Sequence, residues 1–425
     1  MNEFCLHDHK HNLKYNLAHE FFWGFGVAFH TVYAISPLFL RELGAPESIV
    51  VSTAGFFAIL IALPTLFIAV FGRNIQNIKG AVLKVHLLII IVSFLMGLTF
   101  SFIDPIIIKS AWQIYFIYFL LYAFAIGIIV PIWAEFLNQS TLKSERGKFF
   151  GLGFACNSLG SFMGGFALKY LLKSSIPFPR NFGIGFMILC LCLLIGTILF
   201  IFFRMKPMPN NYKNKTISIF LSEMKMIILK HKNFQKYILS RIFFTAHLSG
   251  IGIYAIYAQN KFDFDISEAG IFTILNVIAS GWASYLVGKL GDKIGHKMGM
   301  LLAYFSHFIA LLLSVFALNM LWVYGIFIAI GLGQGAFMPS AMNLIYDFAD
   351  NYDSKTYMAL TDSFLAPFVL LFMIIISSLV NSGHYLISFF ILGCSIFLSI
   401  VLLIFFVKDP RQHQENSFRI KTIST

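Results

Sequence analysis

The chain has 425 residues, 58% of them hydrophobic and 12% charged, with a formal net charge of +12. Soluble proteins carry about 25% charged residues, and no water-soluble fold of this length hides so much apolar side chain, so the solvent must be lipid. The positive balance would point to nucleic acid in a soluble protein, but here it is the surplus of basic residues in inward loops, and no basic module interleaved with aromatics is present.

Windows of about 19 residues give twelve apolar segments. In the first half they cover 18–40, 48–71, 81–103, 112–136, 149–171 and 182–203. In the second half they cover 236–259, 268–288, 298–318, 321–346, 357–380 and 385–407. Each is long enough for the hydrocarbon layer of roughly 30 Å. The first run is too long for the apolar stretch of a cleaved leader and reads as a spanning helix. The expected organisation is a tail over 1–17, a six-helix bundle over 18–203, a linker over 204–235, a second bundle over 236–407 and a tail over 408–425.

Segment one holds Glu20 near its inner edge, Trp23 and His30 on one helical stripe, and Tyr33. Polar groups in hydrocarbon are costly and usually face the protein interior. His30 titrates near neutral pH in its ordinary state, so it reads either as a solute or proton site or as a packing histidine. The preceding "LHDHKH" reads as a disordered tail, with metal binding the rival reading.

Segment five carries Asn157, Gly160 and Gly164, and the two glycines fit small-xxx-small helix packing. The linker places Ile217, Phe220, Leu221, Met224, Ile227 and Ile228 at helical spacing with Lys225 and Lys230 off the stripe, an amphipathic helix on the inner membrane face. Segment seven offers Arg241 at its inner edge and His247 and Tyr254 on one stripe. Asn276 and Gln334 follow in segments eight and ten, each a solute contact or a hydrogen-bonding tie between helices. Asp362 in segment eleven is either a proton-carrying acid or a cap for the helix after "YDSKTYM". Glu135 and Arg146 belong to the inner loops. Prolines 37, 64, 131, 339 and 367 kink the segments that carry them. The five cysteines give neither a disulfide framework nor a metal site.

Loop charge sets the orientation. Lys79, Lys143, Arg146, Lys148, Arg204, Lys206, Lys289, Lys293, Lys297 and Lys408 fall in one alternating set of loops, and "RELGAPES", "NKFDFDISEAG" and "NSGH" fall in the other. Both termini and the linker are therefore expected in the cytoplasm. The two halves also align without gaps: residues 19–49 against 240–270 bring Phe22 to Phe243, "YAI" at 33–35 to "YAI" at 254–256, and Glu20 to Arg241. A duplicated six-helix unit is a recurring plan of secondary transporters. Glu20 and Arg241 are expected either to pair as an inner gate or to snorkel separately to the interface.

The loop "GKLGDKIGHK" (288–297) supplies glycines for close backbone approach and an aspartate suited to another helix's free amides. It resembles the second-half copy of the major facilitator superfamily signature G-x-L-x-D-[RK]-x-G-[RK]-[RK], through Gly288, Leu290, Asp292, Lys293, Gly295 and Lys297, with His296 a departure. In the first-half loop "AVFGRNIQNIKG", Ala69, Arg73 and Gln76 stand where the signature has glycine, aspartate and glycine. Segment five is similar to the drug-antiporter pattern at Gly147, Gly160, Gly164 and Gly165, with Ser161 in place of the proline. "LGAPES" and "SERGKFFGLGF" resemble poorly characterised bacterial members of the superfamily.

The resemblance implies an all-α membrane protein of twelve helices in two six-helix bundles, with Asp292 latching one half to the other during alternating access. It also implies a cavity lined by segments one, four, seven and ten. The expected solute-binding residues are Trp23, His30, Tyr33, His247, Tyr254, Asn276 and Gln334, with Glu20, Arg241 and Asp362 for proton coupling or gating. The expected function is proton-coupled movement of a small, amphipathic or aromatic organic solute across a bacterial inner membrane, by a monomer without cofactor or metal. The rival readings are a lipid or amphiphile flippase and a transporter-fold sensor. An enzyme would need a cluster of catalytic groups at the membrane edge, and an ATP-driven pump would need a Walker loop; the sequence has neither.

Overall fold

The computed structural model describes residues 4–32, 35–46, 49–50, 52–71, 75–103, 111–206, 216–263, 268–350 and 354–411. Segment one is built from α1 (Leu6–Val27), a 3-10 turn (Ala28–His30) and α2 (Ile35–Glu42). It is followed by α3 (Thr53–Phe71), α4 (Ile78–Phe102), α5 (Ala111–Gln139), α6 (Arg146–Leu172) and α7 (Arg180–Leu199). After the linker helix α8 (Ile217–Lys230), the second half opens with α9 (Lys232–Phe244) and α10 (Ala246–Phe262). It continues with α11 (Glu268–Ile294), α12 (Lys297–Phe316), α13 (Met320–Ala349), α14 (Ser354–Asn381) and α15 (Tyr385–Phe406).

Among the described residues, seven helices are individually long and apolar enough to cross a membrane: α4, α5, α7, α12, α13, α14 and α15. The other five expected segments are interrupted or more polar. Segments one and seven are each broken in the middle, α3 is apolar over a shorter stretch, and α6 and α11 carry the glycines and polar residues of the seam between halves. A helix that faces protein and cavity needs fewer apolar residues than one that faces lipid.

The halves meet where α6 packs on α11 and α3 packs on α14. A side chain on Gly151 would sit 2.7 Å from the Gly288 Cα, so the first glycine of the signature loop is required by backbone-to-backbone contact. Gly295 has φ +93°, the left-handed region, and a side chain there would also strike Asp409. Within the first half, a side chain on Gly160 would run into the Phe21 carbonyl and one on Gly164 into the Phe25 carbonyl. The small-residue packing expected of these two positions is therefore the contact between α6 and α1.

One expectation is corrected. The "LHDHKH" stretch is not a loose tail: it opens α1, and its Asp8 and His9, with Asn12 just after it, are tied down. Asn12 Nδ2 donates to the carbonyls of Ser140 (2.9 Å) and Arg204 (2.7 Å), and its Oδ1 accepts from the Arg204 amide (2.8 Å). Asp8 pairs with Arg204 at 2.8 Å, and that guanidinium holds the carboxyl down at about 2. His9 Nδ1 accepts from the Leu142 amide at 3.3 Å, which fixes the ring as a structural tie. No group of three or more histidine, cysteine, aspartate or glutamate side chains able to hold a metal occurs among the described residues. The linker helix forms over Ile217–Lys230, but only its later turns are anchored: Ile227 is buried and Met224 and Ile228 pack on the core, whereas Ile217 and Leu221 are exposed.

Candidate functional site

A cavity of about 470 Å³ lies between the halves, walled by α3 and α6 on one side and by α9 to α14 on the other. Its charged and titratable lining is Arg241, His247, His307 and Asp362; its neutral polar lining includes Asn157, Ser280 and Gln334. The remainder is largely apolar, with Phe154, Phe244 and Phe337 the aromatic faces.

Segment seven builds the most polar corner. Its helix ends at Phe244 with a tightened last turn, the Thr245 amide reaching the Ile242 carbonyl (3.2 Å) as well as that of Arg241 (3.0 Å) and the Thr245 hydroxyl donating to the Ile242 carbonyl (2.7 Å). Arg241 is buried, donates from Nη1 to the Tyr237 hydroxyl (2.9 Å) and lies over the Phe337 ring at 4.7 Å. His247 stacks on Phe244 at 4.1 Å between ring centres and donates from Nδ1 to the Phe244 carbonyl at 2.6 Å. A carbonyl can only accept, so Nδ1 carries the proton and Nε2 is left for another partner. His307 lies 4.4 Å from His247, centre to centre. Asp362 enters the wall from α14, eight positions after that helix begins at Ser354 (362 − 354 = 8), so it does not cap the helix.

The expected solute contacts divide sharply. His247 and Gln334 line the cavity, as do Arg241 and Asp362. Trp23 instead packs between His19 and His86, each 5.6 Å away, inside the first half. His30 is 1% exposed and ringed by Tyr115, Phe119, Tyr122 and Phe186, because the 3-10 turn that ends α1 swings it into that aromatic core. Tyr254 is buried against Phe389, and Asn276 Nδ2 donates to the Phe327 carbonyl at 3.4 Å, tying α11 to α13. Tyr33 lies outside the described residues.

Glu20 and Arg241 do not form the expected gate. Glu20 is buried behind the cavity wall and accepts from Asn157 Nδ2 at 3.0 Å, whereas the Arg241 hydrogen bond goes to Tyr237. Sequence reasoning missed His307, a lone histidine in "YFSHFIALLL", and left Asn157 out of the solute set. A polar residue alone on an apolar stripe was the available signal for both.

The signature loop lies at the end of the molecule where both described chain ends lie, since His9 reaches Leu142 and Arg411 reaches Lys143. Asp292 Oδ1 accepts from the Gly147 amide (2.8 Å) and Oδ2 from the Lys148 amide (2.7 Å), the first-turn donors of α6 in the opposite half. Its charge is favoured there by the helix dipole. Arg411, just beyond α15, joins the cluster: Nη1 reaches Asp292 Oδ1 at 3.2 Å, and Nη2 reaches the Lys143 carbonyl at 3.4 Å and Asp347 at 3.5 Å. Lys297 donates from Nζ to the carbonyls of Ile404 and Val407 and from its amide to Asp409. Lys293 is exposed, as is Leu290. His296, within this loop, is buried, and burial together with the Arg411 and Arg146 charges pushes it down to about 3, so it is neutral near pH 7.

Arg73 lies outside the described residues. At the start of α14, the counterpart of α6, the acceptor is Glu135 of α5, which takes the Ser354 hydroxyl at 2.7 Å. Nearby the Tyr346 hydroxyl donates to the Ala134 carbonyl at 2.7 Å, and Arg146 lies over the Tyr346 ring at 4.8 Å. These bonds join the two halves at the terminal face.

Two helical halves around a shared, largely apolar cavity, latched at one end, make a multi-pass membrane fold. Residues 237–423 match the model of the Major Facilitator Superfamily. Solved members of that superfamily share the fold of nearly the whole chain. The proton:xylose symporter XylE bound to 6-bromo-6-deoxy-D-glucose is 15% identical, with a TM-score of 0.69 over 93% of this chain and 95% of that one. The human organic anion transporter MFSD10 (TETRAN) is 12% identical, with a TM-score of 0.66 over 93% and 99%. The transporter FucP in its outward conformation is 11% identical, with a TM-score of 0.66 over 94% and 99%. No curated protein matches the sequence.

Proposed function

We propose that the chain is a secondary active transporter that carries a small organic solute by alternating access, coupled to protons. The observation that carries this reading is the cavity between the halves, with Arg241, His247, Gln334 and Asp362 on its wall and the Asp292 latch below it. The apolar and aromatic remainder of the wall favours an amphipathic or aromatic solute over a highly charged one. Asp362 is the group that takes up and releases the coupling proton, since a carboxyl in a mostly apolar wall exchanges charge readily with what binds beside it. The basic residues of the terminal face, among them Lys143, Lys148, Lys289 and Lys293, favour a cytoplasmic location for both termini in a bacterial inner membrane, with the chain acting as a monomer.

The test is uptake and efflux of a solute panel in proteoliposomes under an imposed pH gradient. Flux of at least one solute that follows the gradient is expected. Solute-independent movement of labelled lipid would favour a flippase, and binding without flux by folded protein would favour a sensor.

A further inference from the structure

The transporter reading leaves the charge of the solute open, and the corner around Thr245 narrows it. The break there sets the start of α10, a 17-residue helix, at mid-cavity, where Thr245, His247 and Leu248 line the wall. The start of a helix is electropositive. Of its early amides, that of Leu248 is taken by the Thr245 carbonyl at 3.1 Å, so the main ligand-seeking group is a side chain.

That side chain is Arg241. It is only 9% exposed, lines the cavity, and makes one hydrogen bond among the described residues, to the Tyr237 hydroxyl. A guanidinium carries five N–H donors in a fixed fork. Asp362 shares the cavity wall, yet the two are not within ion-pair distance in the structure. A buried guanidinium with most of its donors unmet is costly, and the planar anion that answers it best is a carboxylate bound by both arms of the fork.

We propose that the cavity binds an organic monocarboxylate, its carboxylate on the Arg241 guanidinium beside the start of α10 and its apolar body against Phe154, Phe244 and Leu365. The proposal rests on the cavity being the solute site of a transporter. A single carboxylate matches the single fixed cation of the wall, and a second one would meet the Asp362 charge.

The test uses the purified full chain in lipid nanodiscs and its thermal stability with benzoate, 3-phenylpropionate, the two corresponding amides and phenethylamine. The carboxylates are expected to raise the melting temperature and the amides and the amine to leave it unchanged. In Arg241→Gln the carboxylate effect is lost, and in Arg241→Lys part of it is kept. Equal stabilisation by an amide or the amine, persistence of the carboxylate effect in Arg241→Gln, or no stabilisation by either carboxylate overturns the proposal. If Arg241→Gln does not fold, the comparison of compounds on the unaltered chain decides alone. Gradient-driven flux of a neutral solute that carboxylates do not inhibit would sink this proposal and leave the transporter reading standing.

Discussion

Segments one and seven occupy matching places in the two halves, and each is broken in the middle, yet they serve different ends. In segment seven the break follows Phe244, and Arg241, Phe244 and His247 line the cavity. In segment one the register-equivalent residues, Glu20 and Trp23, are turned into the first half, and the break comes later, at Ala28–His30. The cause is visible in the glycines. A side chain on Gly24 would run into the Asn157 carbonyl and one on Gly160 into the Phe21 carbonyl, so α1 lies backbone to backbone on α6 and presents little to the cavity. In α10, Gly250 meets the ends of the Tyr254 and Leu392 side chains rather than a backbone. A duplicated unit can therefore keep its fold and place the polar chemistry of the cavity mainly in one copy.

The largest effect is expected where that comparison concerns charge. Asp362→Asn should reduce gradient-driven flux by about tenfold or more, whereas Glu20→Gln should cost less than about threefold, because a carboxyl outside the wall is not renewed at each cycle. Initial rates in proteoliposomes would measure both, and equal losses would erase the distinction between the halves.

The latches give a second, smaller contrast. Asp292 accepts two charge-assisted bonds and receives Arg411, so Asp292→Asn should cost about 2 kcal/mol of stability. Arg73→Gln should stay within about 0.5 kcal/mol. Thermal unfolding would rank them, and flux should follow the same order.

The smallest effect belongs to His296. Its folded value, about 3, lies below the ordinary histidine value of 6.5, so the unfolded chain binds the proton first. Stability contributed by the neutral ring is full above pH 6.5 and declines as pH falls from there toward 3, by about 1–2 kcal/mol at pH 5. His296→Gln should remove this part of the slope between pH 7 and pH 5, and an unchanged slope would show that the ring is not its source.

The fold was largely legible because lipid enforces long apolar helices, and the latch was legible because its glycines and aspartate have one geometric reason each. Gly288 touches Gly151, Gly295 needs its left-handed backbone, and Asp292 caps the opposite helix. The cavity was half legible. Periodicity places Trp23 with His30, and His247 with Tyr254, on common stripes, but it does not say which neighbour a stripe faces or where a helix breaks. A turn at Ala28–His30 sends His30 into an aromatic core, and Tyr254 meets Phe389 two helical turns beyond His247. Arg411 was legible only as one more basic residue of the tail, because its role depends on Lys143 and Asp347, both distant in sequence.

The most direct test of a solute site carried by the second half is pH-gradient-driven flux in two double variants, His247→Ala with Gln334→Ala and Trp23→Phe with His30→Phe. The account predicts that the first pair abolishes flux in folded protein and the second retains most of it. Flux that survives the first pair and fails in the second would contradict it.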